Sequence, residues 1–265
     1  MARRLSRSRE LARDLLVLVG ARTPDPIETA KELGIEVTFG HLDGATARIF
    51  RIGSKARIRV SDQIVTQGRK RLSIVHEIGH HVLGHEIPNE GDAASWFRCS
   101  CARRDKNEER DADVLAVEHL APEAMVAPYC VGRPVDLHAV RAIEQRFVAS
   151  PVMAAIRFVE LSPEACAVVY SERGRIVWMK PSKTFPGYFG KGTAIPTESI
   201  AAECFDRGTI ERATRTQSAS IWFGARSRIA PDVEIVEHAM VVPEPGWGGV
   251  LSLLWIPQAI RAAAA

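Results

Sequence analysis

The chain has 265 residues, enough for one large or two modest domains, and 46% of them are hydrophobic, enough for a real core. A formal net charge of +3 excludes a bulk electrostatic case for binding nucleic acid or a membrane surface. No apolar stretch reaches the length of a membrane span.

Helical spacing of Leu11, Leu15, Leu16 and Val19 predicts a first helix over residues 9–19. Asp25 as cap and Pro26 in the first turn start a second, which stops at Gly34. Short strands follow at 35–39, 46–52 and 56–60, separated by glycine-containing turns. The strongest helical pattern covers 69–83, with Leu72, Val75, Ile78, Gly79 and Val82 facing one way. Residues 84–106 are polar and long for an internal connection, as functional loops are, with Trp96 and Phe97 as local anchors. A helix at 107–120 ends before Pro122. Helices at 135–147 and 151–161 have the spacing of a helix-turn-helix-like hairpin. Beyond Pro163 the character turns to β. Strands at 165–170 and 176–180 flank the turn Glu172-Arg173-Gly174. A short helix is expected at 199–205, and strands at 218–224, 233–242 and 249–256. The alanine-rich end is expected to fray.

The basic clusters Arg3, Arg4, Arg7, Arg9 and Arg69, Lys70, Arg71 read as solvated charge. Residues 15–19 are too short for the apolar core of a signal peptide, and no small-residue cleavage site follows. The five cysteines, Cys99, Cys101, Cys130, Cys166 and Cys204, are odd in number and irregularly spaced. Free thiols in a reducing cytoplasm fit this better than a disulfide framework. Cys99-Ser100-Cys101 lacks the two-residue gap and the second pair of a zinc ribbon.

The chemistry sits at His76-Glu77-Ile78-Gly79-His80. Residues four apart share a helix face, so both imidazoles can reach one metal ion. Glu77 projects beside that ion, where it can take a proton from water. A catalytic zinc usually has three protein ligands and an open position. The downstream carboxylates are Glu86, Glu90, Asp92, Asp105, Glu108, Glu109, Asp111 and Asp113; those in the loop are poor platforms for precise ligation. Glu109 ranks first as third ligand and Asp111 second. Asp113 lies one turn beyond Glu109, placed to receive the other ring N–H of a ligating histidine. His81 and His85 form a second pair one residue round the helix and read as partly exposed helix-end residues. His119 and His138 stay open as outer partners or substrate-side groups. Tyr129 and His138 are candidates for polarising a carbonyl, with neither preferred.

The segments GRKRLSIVHEIGHHVLGHE and EERDADVLAVEHLAP resemble the ImmA/IrrE family of bacterial zinc metallopeptidases. Glu109, Ala112, Asp113, Ala116, Leu120 and Pro122 fall in the register of that family's second ligand helix. PIETAKELGIEV resembles its N-terminal helix–strand unit and FVASPVMAAIRFVEL its helical hairpin, so the resemblance covers roughly residues 25–163. It implies His76, His80 and Glu109 as zinc ligands and Glu77 as general base, its register favouring Glu109 over Asp111. Leu115 stands where the family has Phe, Ala121 where Met is common, and His119 where Leu is usual. Longer members carry a sensor-like C-terminal domain.

The expected fold is α+β. A zincin-like mini-domain, with a small mixed sheet and ligand-bearing helices, spans 1–163 and includes the hairpin at about 135–161. A C-terminal α/β or β-rich domain spans 164–265 and would sense a signal or select substrate. The expected function is a cytoplasmic, zinc-dependent site-specific endopeptidase, with manganese as the alternative ion. By the resemblance, its substrate is a helix-turn-helix DNA-binding repressor controlling stress or mobile-element genes. No membrane or direct nucleic-acid contact is expected. The alternatives are a non-enzymatic zinc-containing transcription regulator, reading DNA with the hairpin, and a toxin–antitoxin interaction module. The hairpin's second helix, with Arg157 its one basic residue, is a poor DNA reader.

Overall fold

The computed structural model describes residues 2–20, 24–91, 105–207, 213–224, 233–242 and 249–257. The 96–101 segment, with Trp96, Phe97, Cys99 and Cys101, lies outside the described residues, as do Asp92 and the terminal alanines. The fold is α+β, with a C-terminal sheet region. It divides into two compact units: Met1–Pro122 with Phe147–Ser150, and Glu123–Arg146 with Pro151–Ala265.

The first unit opens with α1 (Ala2–Val19), which starts before the apolar periodicity does. In α2 (Pro26–Glu32) the Asp25 carboxylate accepts the Ile27 N–H at 2.9 Å, and Pro26 loses no hydrogen bond in the first turn. Strands β1 (Ile35–Gly40), β2 (Ala47–Ile52) and β3 (Lys55–Ser61) form a mixed sheet ordered β1-β3-β2, parallel between β1 and β3 and antiparallel between β2 and β3. That order makes β2 an edge. Helix α3 (Gln67–Val82) buries Ile74, Val75 and Ile78. Helix α4 (Lys106–Leu120) begins at Asp105, whose carboxylate accepts the Asn107 N–H at 2.9 Å, and buries Ala112, Leu115 and Ala116.

Two glycines set how closely α3 is approached. A Cβ on Gly79 would lie 3.2 Å from the Cα of Ala112, so α3 and α4 meet with no side chain between them. A Cβ on Gly68 would lie 2.2 Å from the carbonyl carbon of Ala149. Gly68 therefore lets the start of α3 pack against the 147–150 segment.

The second unit holds α5 (Glu123–Val126), a 3-10 turn (Ala127–Tyr129), α6 (Leu137–Phe147, all but its last residue) and α7 (Pro151–Leu161). Its five-stranded antiparallel sheet runs β5 (Arg175–Pro181), β4 (Ala165–Glu172), β8 (Gly249–Ile256), β7 (Glu234–Val242), β6 (Ala213–Ser218). The inner strands β4 and β8 are buried on both faces, as their continuous apolar sequences demand. Arg173 and Gly174, at φ of 49° and 72°, make the β4–β5 turn. Helix α8 (Ile200–Arg207) is held by a buried carboxylate from the sheet: Glu237 accepts the N–H groups of Ile200 and Ala201, with Gln217 and Trp222 donating as well. The hairpin helices group with this sheet, because α7 packs on β4 and β5.

One expected element is corrected. Residues 218–224 are not a strand: β6 ends at Ser218, and α9 (Ser220–Phe223) is a helical turn. The Ser218 hydroxyl accepts the Ser220 N–H at 3.2 Å, and the Ala219 carbonyl accepts from Trp222 and Phe223. Local serine-to-backbone bonding replaces the ladder here, and the turn buries Trp222.

Candidate metal centre

Helix α3 carries His76, Glu77 and His80, and α4 carries Glu109 and Asp113. His76 Nε2 and His80 Nε2 lie 3.0 Å apart, as the four-residue spacing requires. Glu109 closes the triangle, with Oε2 3.2 Å from His76 Nε2 and Oε1 3.5 Å from His80 Nε2. Among the described residues, this is the one group of three His, Cys, Asp or Glu whose ligand atoms converge, all within 4.8 Å. Bonds of about 2.0–2.2 Å to a tetrahedral ion put ligand atoms roughly 3.3 Å apart, so the triangle is already near the size an ion needs. Two imidazole nitrogens and one carboxylate also form a donor set suited to a divalent transition metal.

Asp113 Oδ1 is 2.9 Å from His76 Nδ1. The Nδ1–H donates to Asp113, which directs the Nε2 lone pair at the centre. Burial opposes a charge on His76, but its hydrogen bonds to Asp113 and Glu109, with the field of Glu77, outweigh that and raise its pKa to about 10.

Glu77 is 6% exposed, and its Oε2 accepts the Ile49 N–H at 3.0 Å. Ile49 lies on the edge strand β2, so the sheet itself anchors this carboxylate. Farther along that edge, Arg51 donates its N–H to the Pro88 carbonyl and accepts from Glu90.

The other candidates lie elsewhere. Asp111, two residues beyond Glu109, is turned about 200° round α4 and meets Arg4 of α1 at 3.0 Å. It is not at the centre. His119, fully buried, lies 3.4 Å from the Ala12 carbonyl and 3.3 Å from the Thr29 hydroxyl. It is a core residue tying α4 to α1 and α2. Burial, with the Arg71 charge, lowers its pKa to about 4 against the opposing Ala12 hydrogen bond. Asp105 caps α4. Tyr129 and His138 belong to the second unit.

His85 is where sequence reasoning missed a contact. Its Nδ1 lies 2.8 Å from the Nδ1 of His80. Read as facing away, it is carried back by the turn that ends α3. Gly84 was the available signal, since a glycine just past a helix end commonly reverses the chain there.

Comparison with known proteins bears on this group. A family model described as Peptidase_M78, IrrE N-terminal-like domain, matches residues 30–159, a span holding all five residues on α3 and α4. Among solved structures, a Mycobacterium tuberculosis transcriptional regulator superposes with a TM-score of 0.61. It is 13% identical over 96% of this chain and 89% of its own, a likeness of fold. No curated protein matches.

Proposed function

Residues 30–159 belong to the ImmA/IrrE metallopeptidase family, and from that premise we propose that the protein is a zinc-dependent, site-specific endopeptidase whose substrate is a helix-turn-helix DNA-binding repressor. The observation carrying this reading is the convergence of His76, His80 and Glu109 beside an anchored Glu77. Those three would hold the ion. When bound, the ion supplies Lewis acidity, acidifying water and polarising a peptide carbonyl. Glu77 takes the proton from the attacking water and returns it to the leaving amine. Its bond to Ile49 keeps one oxygen engaged with the edge strand, which fixes the carboxylate's plane while the proton moves. Asp113 keeps the His76 ring oriented.

Manganese is the alternative ion, and a role in stress or mobile-element regulation follows from the repressor as substrate. The proposed place of work is the cytoplasm; among the described residues no helix is long and apolar enough to cross a membrane. The structural neighbour, a transcriptional regulator, favours a second reading, in which the chain binds DNA without cleaving anything. The hairpin weighs against it. Arg157, the one basic residue of α7, is 2% exposed and lies 3.5 Å from Glu160, whereas a DNA reader presents its basic groups to solvent.

The test is Glu77→Gln, assayed by mass spectrometry on purified repressor with Zn2+. The variant keeps its metal, by elemental analysis, and loses about 10²–10⁴ in cleavage rate. Wild-type cleavage by the variant overturns the mechanism. A wild-type chain that leaves the repressor intact and shifts DNA in a salt-sensitive way favours the second reading.

A further inference from the structure

The end of α3 is built so that it touches the centre. The Gly84 N–H donates to the His81 carbonyl at 3.2 Å and the His85 N–H to the His80 carbonyl at 3.0 Å. This pair of bonds is a Schellman motif, and Gly84, at φ 75°, supplies the left-handed residue it needs. In such a motif the residue after the glycine folds back over the residue five before it. The contact there is usually apolar. Here it joins two imidazoles, with ring centroids 5.0 Å apart at 64° and Nδ1 to Nδ1 at 2.8 Å.

We propose that His85 is the positioning partner of His80, accepting its Nδ1–H and so holding the His80 Nε2 lone pair toward His76 and Glu109. The inference rests on reading that triad as a metal site. His80 is 0% exposed, so water is shut out and its second nitrogen depends on protein groups. If Nε2 is to ligate, the proton sits on Nδ1, and the nitrogen facing it at 2.8 Å belongs to His85. His85 then carries its own proton on Nε2. Each ligand histidine thereby has an outer partner of different origin. His76 is oriented by a carboxylate on α4, and His80 by the cap of its own helix.

The test measures Zn2+ affinity of the full chain by competition with a chelating dye, for wild type, His85→Leu and His85→Asn. An asparagine places its carbonyl oxygen about where the histidine Nδ1 stands, whereas leucine fills the space with no acceptor. The leucine variant is expected to bind Zn2+ about 10–100-fold more weakly, and the asparagine variant to stay within about threefold of wild type. Two-bond 1H–15N correlation spectra of the zinc-loaded protein should place the His80 proton on Nδ1. Wild-type affinity in the leucine variant, an asparagine variant as weak as leucine, or His80 ligating through Nδ1 overturns the proposal. If the leucine variant fails to fold, the asparagine variant and the spectra decide. A wild-type chain that takes up no Zn2+ overturns the metal reading itself, and with it this role.

Discussion

Glu109 and Asp111 differ by two positions and about 200° of rotation, and that rotation separates their roles. One carboxylate faces two imidazoles, and the other faces Arg4 on α1. Elemental analysis of Glu109→Ala and Asp111→Ala should therefore diverge: the first loses its zinc, and the second retains about one ion per chain. Loss in both, or in Asp111→Ala alone, would reassign the third ligand. The HExxH pair was readable because four-residue spacing on a helix is a local property. The His85 contact was not readable from helical periodicity, because it lies beyond the helix end, where the chain turns on Gly84.

At the scale of elements, α4 serves two interfaces at once. Its Ala112 face meets Gly79 of α3 and brings Glu109 to the centre. His119 points instead toward α1 and α2, and its protonation is a cost the fold must meet. A histidine whose pKa falls from 6.5 to about 4 on folding is protonated first in the unfolded chain. The stability it leaves intact above about pH 6.5 is lost as pH falls toward 4, levelling at roughly 3 kcal/mol. Urea unfolding of wild type and His119→Leu at pH 7 and pH 4.5 checks this. The wild type should lose about 2–3 kcal/mol more between the two pH values than the variant. Equal losses would show that His119 does not set the acid limb. The reading of residues 218–224 as a strand failed at this scale too, because Ile221, Trp222 and Phe223 favour a strand until the Ser218 hydroxyl captures the backbone N–H of Ser220.

At the scale of the molecule, the three residues that could hold an ion all lie in one of the two units. An ion that binds the folded state stabilises what holds it by mass action, and a unit without ligands gains nothing directly. Hydrogen exchange with and without Zn2+ should show added protection in α3 and α4, with the strands β4, β5, β7 and β8 unchanged. Protection spread evenly over both would mean that the units open together. The second unit has its own interior, built on the inner strands and on Glu237, which caps α8 through the Ile200 and Ala201 N–H groups and accepts from Gln217 and Trp222 as well. The hairpin, continuous in sequence with the ligand helices, packs with that sheet, since apolar faces go where area is buried and not where the motif lies.

The sequence by itself determined that His76 and His80 share one face of α3 with Glu77 beside them, and it marked the cap and proline of α2, the small mixed sheet and the inner strands of the larger one. Each rests on a short-range rule: helical spacing, turn chemistry or a continuous apolar run. The sequence ranked Glu109 ahead of Asp111, and the tertiary structure brings Glu109 to the histidines; only the tertiary structure decided that His119 is a core residue, that edge strand β2 anchors Glu77, and that His85 reaches His80. Those outcomes depend on how two helices cross and where a chain reverses. Such geometry is set by contacts between residues far apart in sequence, and by a glycine whose missing side chain leaves almost no trace in periodicity.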